Sequence, residues 1–159
     1  MNTQADKSVP AGYSMVNPYL TVRDVPALVE FLQQAFGGRV TRQIRQSDGK
    51  IEHAEVQVGD SLLMIGPPRV ESLMRSHDEH RPGTFYVFSA DVDAVYGRAM
   101  SCGASAWQAP ADTVYGDRVA AVTDTNGDVW WIATRGKPLG PEELQKRADE
   151  HWHKRGSAG

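Results

Sequence analysis

The sequence predicts an α+β fold made of two tandem βαβββ modules, whose curved mixed β-sheets surround a cavity. Two observations lead to this prediction: the same order of elements occurs twice, and matching residues recur 67 positions apart. The matched pairs are Tyr19 and Tyr86, Asp24 and Asp91, Val25 and Val92, Leu28 and Val95, Leu63 and Trp130, and Ile65 and Ile132. A matched element order combined with matched residues indicates an internal duplication.

The first module begins with a short β-rich run at 19–22. Asp24 is a typical helix N-cap, the apolar residues that follow recur at helical spacing, and the glycines at 37 and 38 end the helix. Three strands are expected next, at 39–44, 51–58 and 61–65.

The second module repeats this order. A strand at 85–88 precedes a helix that Asp91 caps and Gly103 ends. Strands are predicted around 106–108, 118–123 and 129–134. The turn before the last strand contains Asn126 and Gly127, both of which tolerate a positive φ.

The segments outside the modules have a different composition. We expect a disordered N-terminus, one domain holding both modules, and a helical C-terminal tail, with the boundaries 1–13, 14–136 (modules 14–66 and 84–135, connector 67–83) and 137–159. In the connector, His77 and His80 have a metal-compatible spacing, although a solvated linker is the simpler interpretation. In the tail, the run 151–153 is expected to anchor the helix on the body of the protein or on a partner.

Composition excludes several classes of function. The chain has 159 residues, a formal net charge of -3 and a pI near 5.9, so nothing indicates a nucleic-acid or anionic-membrane partner. Cys102 is the single cysteine, which rules out an intramolecular disulfide. The sequence contains no apolar stretch of transmembrane length and no signal-like N-terminus, so a cytoplasmic location is predicted.

Alternation along the strand at 51–58 separates an apolar row from a polar row. The polar row consists of His53, Glu55 and Gln57. It predicts either a polar grip or acid/base pair that faces the cavity, or a solvated sheet face in which His53 and Glu55 satisfy each other.

Aromatic residues concentrate near the last hairpin. Trp130 and Trp131 point to opposite faces, so one is expected in the core and the other at the cavity. Trp107, Tyr115 and Tyr19 are candidates for further aromatic walls, and Arg118 is a candidate for holding an anionic group. At a constant spacing of 67, the residues matching His53 and Glu55 would be Ala120 and Val122.

These residues carry a resemblance to a known family. The duplicated βαβββ order resembles the vicinal-oxygen-chelate superfamily, and more narrowly its glyoxalase and bleomycin-resistance-like branch. The motifs that carry the resemblance are Tyr19-Leu20-Thr21-Val22-Arg23-Asp24, His53-Ala54-Glu55, Tyr115-Gly116-Asp117-Arg118, Asp124-Thr125-Asn126-Gly127 and Trp130-Trp131-Ile132-Ala133-Thr134. The resemblance covers residues 15 to about 135 and implies a homodimer with a small-molecule site.

The resemblance also implies where a metal would bind, namely on the first and last strands of each module. Those positions fall on Met64 and Trp131, and near Asn17 or Pro18 and Thr84 or Phe85. Because Met and Trp do not suit a hard divalent ion, no metal or other cofactor is predicted.

The leading prediction is therefore a metal-free protein that sequesters a drug-like or metabolite ligand, as in antibiotic resistance. In this prediction, Trp131 stacks on the ligand, and Tyr115 and Arg118 hold a polar or anionic group of the ligand. His53 and Glu55 form hydrogen bonds to the other end of the ligand. Trp107, Tyr19 and Met64 complete the wall. The first alternative is a lyase or isomerase that uses Glu55 and His53, with or without a divalent metal. The second is an interaction module working through the C-terminal helix.

Overall fold

The computed structural model describes residues 9–68 and 82–156, with the side chains of 152 and 154–156 excepted. The chain forms two compact units. Unit 1 contains Met1–Gly83 and the turn Asp124–Gly127, and unit 2 contains Thr84–Thr123 and Asp128–Gly159. Each unit holds one mixed β-sheet and one helix packed on it, which confirms the predicted α+β class.

Unit 1 has the predicted order of strand, helix and three strands. The elements are β1 (Tyr19–Thr21), α1 (Val25–Phe36), β2 (Arg39–Arg45), β3 (Ile51–Val58) and β4 (Ser61–Gly66). The sheet order is β1-β4-β3-β2, in which β1 runs parallel to β4 and the other pairs are antiparallel.

Unit 2 repeats this topology. The elements are β5 (Thr84–Phe88), α2 (Val92–Ser101), β6 (Ser105–Asp112), β7 (Arg118–Thr123) and β8 (Val129–Thr134), followed by α3 (Pro141–Gly156). The sheet order β5-β8-β7-β6 matches that of unit 1 strand for strand. Strand β6 is longer than predicted, and register shifts interrupt its pairing with β7 on both sides of Gln108.

The two predicted N-caps are confirmed. The side chain of Asp24 accepts a hydrogen bond from the Ala27 amide at 3.0 Å, and Asp91 accepts one from the Ala94 amide at the same distance. At the other end of α1, Gly37 adopts φ 68° and closes the helix. Helix α2 is capped by Cys102, one residue earlier than predicted, and Gly103 follows at φ 88°.

Helices α1 and α2 each cover one face of the sheet of their own unit. In unit 1, Leu28 and Leu32 of α1 are completely buried, as are Ala54 and Val56 of β3. In unit 2, Trp130 is 2% exposed and stacks on Phe85, with the ring centroids 4.5 Å apart. Burial of large apolar side chains of this kind supplies about 1.5–3 kcal/mol each.

The strand register corrects the constant spacing of 67. Glu55 of β3 pairs with Met64, whereas the residue paired with Trp131 is Ala121. The equivalence is therefore displaced by one residue in β7, because the β3–β4 turn is tighter than the 124–128 loop. A one-residue displacement moves every side chain to the opposite face. The prediction that Ala120 and Val122 match His53 and Glu55 is wrong: they match the helix-facing Ala54 and Val56.

The C-terminal tail forms the helix α3, as predicted. On its exposed surface, side chains one helical turn apart form ion pairs, such as Arg147 Nε with Glu143 at 2.7 Å. Its role as an anchor stays a prediction. None of the three helices in the described ranges has the length and apolar character needed to cross a membrane. His77 and His80 lie outside the described residues.

Candidate functional site

A row of polar and half-buried residues crosses the sheet of unit 1 on the face opposite α1. Tyr19 pairs with Met64, Met64 with Glu55, and Glu55 with Arg42, so one side chain comes from each strand. Residues directly opposite each other on neighbouring strands project from the same face. The structure thus places four of the predicted site residues, Tyr19, Met64, His53 and Glu55, on one face of this sheet.

Glu55 is the centre of this cluster. It is only 3% exposed, although it carries a carboxylate. Its Oε2 accepts a hydrogen bond from the Tyr13 hydroxyl at 2.7 Å, and its Oε1 lies 3.2 Å from Nε2 of His53 and 3.8 Å from a guanidinium nitrogen of Arg42. A buried carboxylate requires such partners, because an unpaired charge is costly away from water.

These contacts set the acidity of Glu55. Burial by itself raises the pKa of a carboxyl group, but the hydrogen bonds from Tyr13 and His53 and the charge of Arg42 outweigh it, so the pKa of Glu55 lies below its ordinary value. The pKa of Tyr13 is raised, first by its hydrogen bond to Glu55 and then by burial. Glu55 is therefore ionised and accepts hydrogen bonds at neutral pH.

Both ring nitrogens of His53 have partners. Nε2 faces the ionised Glu55, which only accepts hydrogen bonds, so this nitrogen carries the hydrogen in the neutral ring. Nδ1 then accepts from the Tyr19 hydroxyl, 3.4 Å away. In this neutral tautomer, the hydrogen bonds run from Tyr19 through His53 to Glu55.

An aromatic surface occupies the corresponding face of unit 2, opposite α2. Tyr86 pairs with Trp131 and Phe88 with Ala133. Tyr86 is 48% exposed and Phe88 62% exposed, and Trp131 is half-buried, whereas Ala133 is fully buried. Trp130 points into the core, as predicted for one of the two tryptophans, and the contact of Trp131 with a ligand cavity stays a prediction. The three rings of Tyr86, Phe88 and Trp131 are called the aromatic face below.

Two further residues border the aromatic face. The pKa of Tyr86 is raised, first by burial and then by its charge interaction and hydrogen bond with Tyr115, which places the predicted Tyr115 beside Tyr86. Arg135 lies over the Phe88 ring, 5.5 Å from its centroid, while its guanidinium also stands 3.6 Å from Asp117. A guanidinium over a phenyl face is a favourable cation–π arrangement.

Arg118 does not join this group. Its Cα partner is Thr134, on the face of the sheet that α2 covers, and its guanidinium bonds Asp93 of α2 at 2.7 and 2.9 Å and Asp112 at 3.1 Å. Arg118 and Trp131 therefore project from opposite faces of one sheet. Arg135, two residues beyond Ala133 on the alternation of β8, is the cation that reaches the aromatic face.

Trp107 is also separate from Trp131. It lies in the irregular part of the edge strand β6 and is 67% exposed. In the sheet order, β7 stands between β6 and the strand that carries Trp131.

Comparison with known proteins assigns the family. A sequence model of the Glyoxalase/Bleomycin resistance protein/Dioxygenase superfamily matches residues 13–132. The chain belongs to this superfamily. An uncharacterized protein of Mycobacterium bovis is 27% identical over 135 residues, which cover 82% of this chain and 89% of that protein.

Solved structures show the same glyoxalase-like fold. TioX from Micromonospora sp. ML1 superposes with a TM-score of 0.61 at 22% identity, over 75% of this chain and 98% of TioX. A glyoxalase-related enzyme from Fulvimarina pelagi gives a TM-score of 0.64 at 17% identity, over 80% of this chain and 97% of that chain. At these identities the similarity establishes the fold alone.

The positions at which glyoxalase-like proteins bind metal do not fit a hard divalent ion here. Met64 offers a soft thioether, and the indole of Trp131 is a donor only. The side-chain oxygen of Asn17 already accepts from the Ser14 amide at 3.0 Å. Within residues 9–68 and 82–156, no three His, Cys, Asp or Glu side chains form a group that could hold a metal ion.

Sequence reasoning missed Tyr13, Arg135, Tyr86 and Phe88 as site residues. Tyr13 falls in the predicted disordered N-terminus, 1–13, because that segment shows no periodicity, and no local pattern links it to Glu55. Arg135 could have been found, because 131, 133 and 135 share one face by strand alternation. Tyr86 could also have been found, because it is the repeat partner of Tyr19.

Proposed function

We propose that this glyoxalase-like protein binds a small drug-like or metabolite ligand that carries a planar ring, and sequesters it without a metal. The observation that supports the proposal is the aromatic face of unit 2. Rings that are half exposed on a sheet face opposite the core helix are available to a ligand, whereas the core ring Trp130 is not.

The shape of the aromatic face suits a flat ligand. Ala121 pairs with Trp131 and Ala133 pairs with Phe88, so small, fully buried residues lie next to the rings on this face of the sheet. A ring stacked on an indole gains about 0.5–1.5 kcal/mol beyond the area it buries. Arg135 and the hydroxyls of Tyr86 and Tyr115 provide polar contacts at the border.

The acidity of Glu55 favours binding over proton abstraction. An efficient general base has a pKa near the working pH, and the partners of Glu55 hold its pKa below its ordinary range. Both carboxylate oxygens are also engaged by Tyr13 and His53. In this arrangement Glu55 works better as a fixed hydrogen-bond acceptor than as the base of a lyase or isomerase. The homodimer and the cytoplasmic location stay predictions.

Tryptophan fluorescence tests the proposal. Titration with a panel of planar heteroaromatic compounds, covering anionic, neutral and cationic members, should give a hit that quenches or shifts the emission and raises the melting temperature. The response should disappear in Trp131→Phe and persist in Trp107→Phe, which removes an exposed indole from a different strand. A response that survives Trp131→Phe unchanged would place the ligand elsewhere, and a silent panel would count against the proposal.

A further inference from the structure

Tyr13 reaches Glu55 from outside the sheet. It lies in the segment 9–17 that precedes β1, and its amide bonds the Pro10 carbonyl at 3.1 Å in a local turn. Farther along the segment, Met15 is 77% exposed and Val16 83% exposed, so this part of the chain packs little against the unit. The Tyr13 hydroxyl is the polar contact that ties the segment to the buried carboxylate.

The two oxygens of Glu55 have partners of different origin. Oε1 faces His53 of β3 and Arg42 of β2, which are fixed parts of the same sheet. Oε2 faces only a residue that precedes the first strand, among the contacts described. Because a short chain segment is more easily displaced than a sheet neighbour, Oε2 is the oxygen that an incoming molecule can take over.

We propose that Oε2 of Glu55 recognises a phenolic hydroxyl of a small-molecule ligand, and that Tyr13 fills this position until the ligand displaces it. This inference rests on the proposed small-molecule-binding function and concerns the residues of unit 1 alone. The Tyr13 bond, 2.7 Å between the oxygens, has the length of a charge-assisted O–H···O⁻ bond. The geometry for a phenol at this carboxylate is thus already present within the chain.

The surroundings of Glu55 select a neutral donor. Arg42, 3.8 Å from Oε1, partly balances the negative charge and so weakens the attraction for a cationic ligand. An anion would be repelled by the carboxylate at the same position. A phenol is a stronger donor than an aliphatic alcohol, because its hydroxyl is more acidic, and the ring of Tyr19 lies nearby, 5.7 Å from the His53 ring.

The test compares p-cresol with toluene, which has the same ring and methyl group but no hydroxyl. Dissociation constants are measured by ligand-observed NMR for the wild type, Tyr13→Phe and the control Tyr96→Phe, a half-buried tyrosine of α2. Removing the internal competitor should tighten p-cresol binding about tenfold, with Tyr96→Phe equal to the wild type. Toluene should bind weakly to all three proteins.

A second variant tests whether Glu55 accepts the hydrogen bond from p-cresol. Glu55→Gln introduced into Tyr13→Phe keeps the side-chain shape but replaces the charged acceptor. Relative to Tyr13→Phe, it should weaken p-cresol binding about tenfold. Circular dichroism confirms that each variant is folded. Equal affinity of p-cresol for the wild type and Tyr13→Phe, or equal affinity of p-cresol and toluene for Tyr13→Phe, would overturn the inference.

The two proposals fail separately. Binding at the aromatic face is measured by the fluorescence of Trp131. Binding of the phenol is measured by the p-cresol affinities of the Tyr13 and Glu55 variants. If p-cresol shows no dependence on Tyr13 while a planar compound still quenches Trp131, the phenol assignment is wrong and the binding function stands. If no compound of either kind binds, both are overturned.

Discussion

Asp93 of α2 receives two hydrogen bonds from Arg118 of β7, from Nε at 2.7 Å and from a terminal nitrogen at 2.9 Å. The pKa of Arg118 is raised, first by its hydrogen bonds to Asp93 and then by its hydrogen bond to Asp112. The same contact with Arg118 lowers the pKa of Asp93. Arg118 is thus committed to holding α2 against the sheet, on the face opposite Trp131.

Arginines on the two faces should therefore respond differently to substitution. Arg118→Ala should lower the melting temperature slightly and leave the affinity for a planar ligand within about twofold of the wild type. Arg135→Ala should weaken the same ligand, because it removes the cation beside Phe88. The affinities are measured by the Trp131 fluorescence titration. If Arg118→Ala proves the more damaging to affinity, the assignment of the two faces is wrong.

The sequence was sufficient for the elements but not for the site. Helix caps and the Trp130/Trp131 alternation follow from local patterns, and the repeat of Tyr19 and Tyr86 follows from the spacing of 67. The one-residue displacement in β7 arises in the longer 124–128 loop, where no residue pattern predicts which residues of β7 and β8 pair. Because of that displacement, the predicted ligand residue Arg118 lies on the face that α2 covers and not on the face of Trp131. The Tyr13 contact joins residues 42 positions apart and depends on the folded sheet alone.

The stability of the protein should depend on pH through Glu55. The pKa of Glu55 is lower in the folded protein than its ordinary value of 4.5, because its hydrogen bonds and Arg42 outweigh burial. A group with a depressed folded pKa contributes stability that is complete above the unfolded pKa and is lost as the pH falls through the folded pKa. The free energy of unfolding should therefore decrease below pH 4.5.

This expectation is checked by measuring the free energy of unfolding in urea between pH 3 and pH 7, at intervals of about one pH unit. Glu55→Gln should be less stable than the wild type at neutral pH, and the difference should shrink as the pH falls. The matched control is Glu30→Gln, which changes an exposed carboxylate of α1. A constant difference between Glu55→Gln and the wild type over the whole range would contradict the role given to the ionised carboxylate.

The caps of α1 and α2 provide a test of the structural repeat. Asp24→Ala and Asp91→Ala each leave one helix amide without its side-chain acceptor, and each should cost about 1 kcal/mol of stability. Asp24→Asn and Asp91→Asn should retain most of the stability, because Asn caps helices about as well as Asp. Denaturant unfolding of the four variants checks this. A neutral Ala variant at either position would show that its cap bond contributes nothing.

Gly66 leaves the space that the Tyr19 hydroxyl occupies beside His53. A methyl group at this position would overlap the Tyr19 hydroxyl oxygen and lie 3.2 Å from the ring carbon that carries it. Gly66 has no positive φ, so the conflict is steric only. Gly66→Ala should therefore destabilise the protein by about 1–3 kcal/mol, the usual cost of overpacking. It should also move Tyr19 away from Nδ1 of His53, and a changed histidine Nδ1 resonance in NMR would report this displacement.

A double variant separates this cause from a general effect of the substitution. Tyr19→Phe removes the overlapping oxygen, so Gly66→Ala combined with Tyr19→Phe should be less destabilised than the sum of the two single changes. Gly97→Ala is the matched control: a methyl group there meets nothing within 4 Å, and in helix α2 alanine should stabilise by up to about 1 kcal/mol. Strict additivity of Gly66→Ala and Tyr19→Phe would show that the hydroxyl of Tyr19 does not need the space at Gly66.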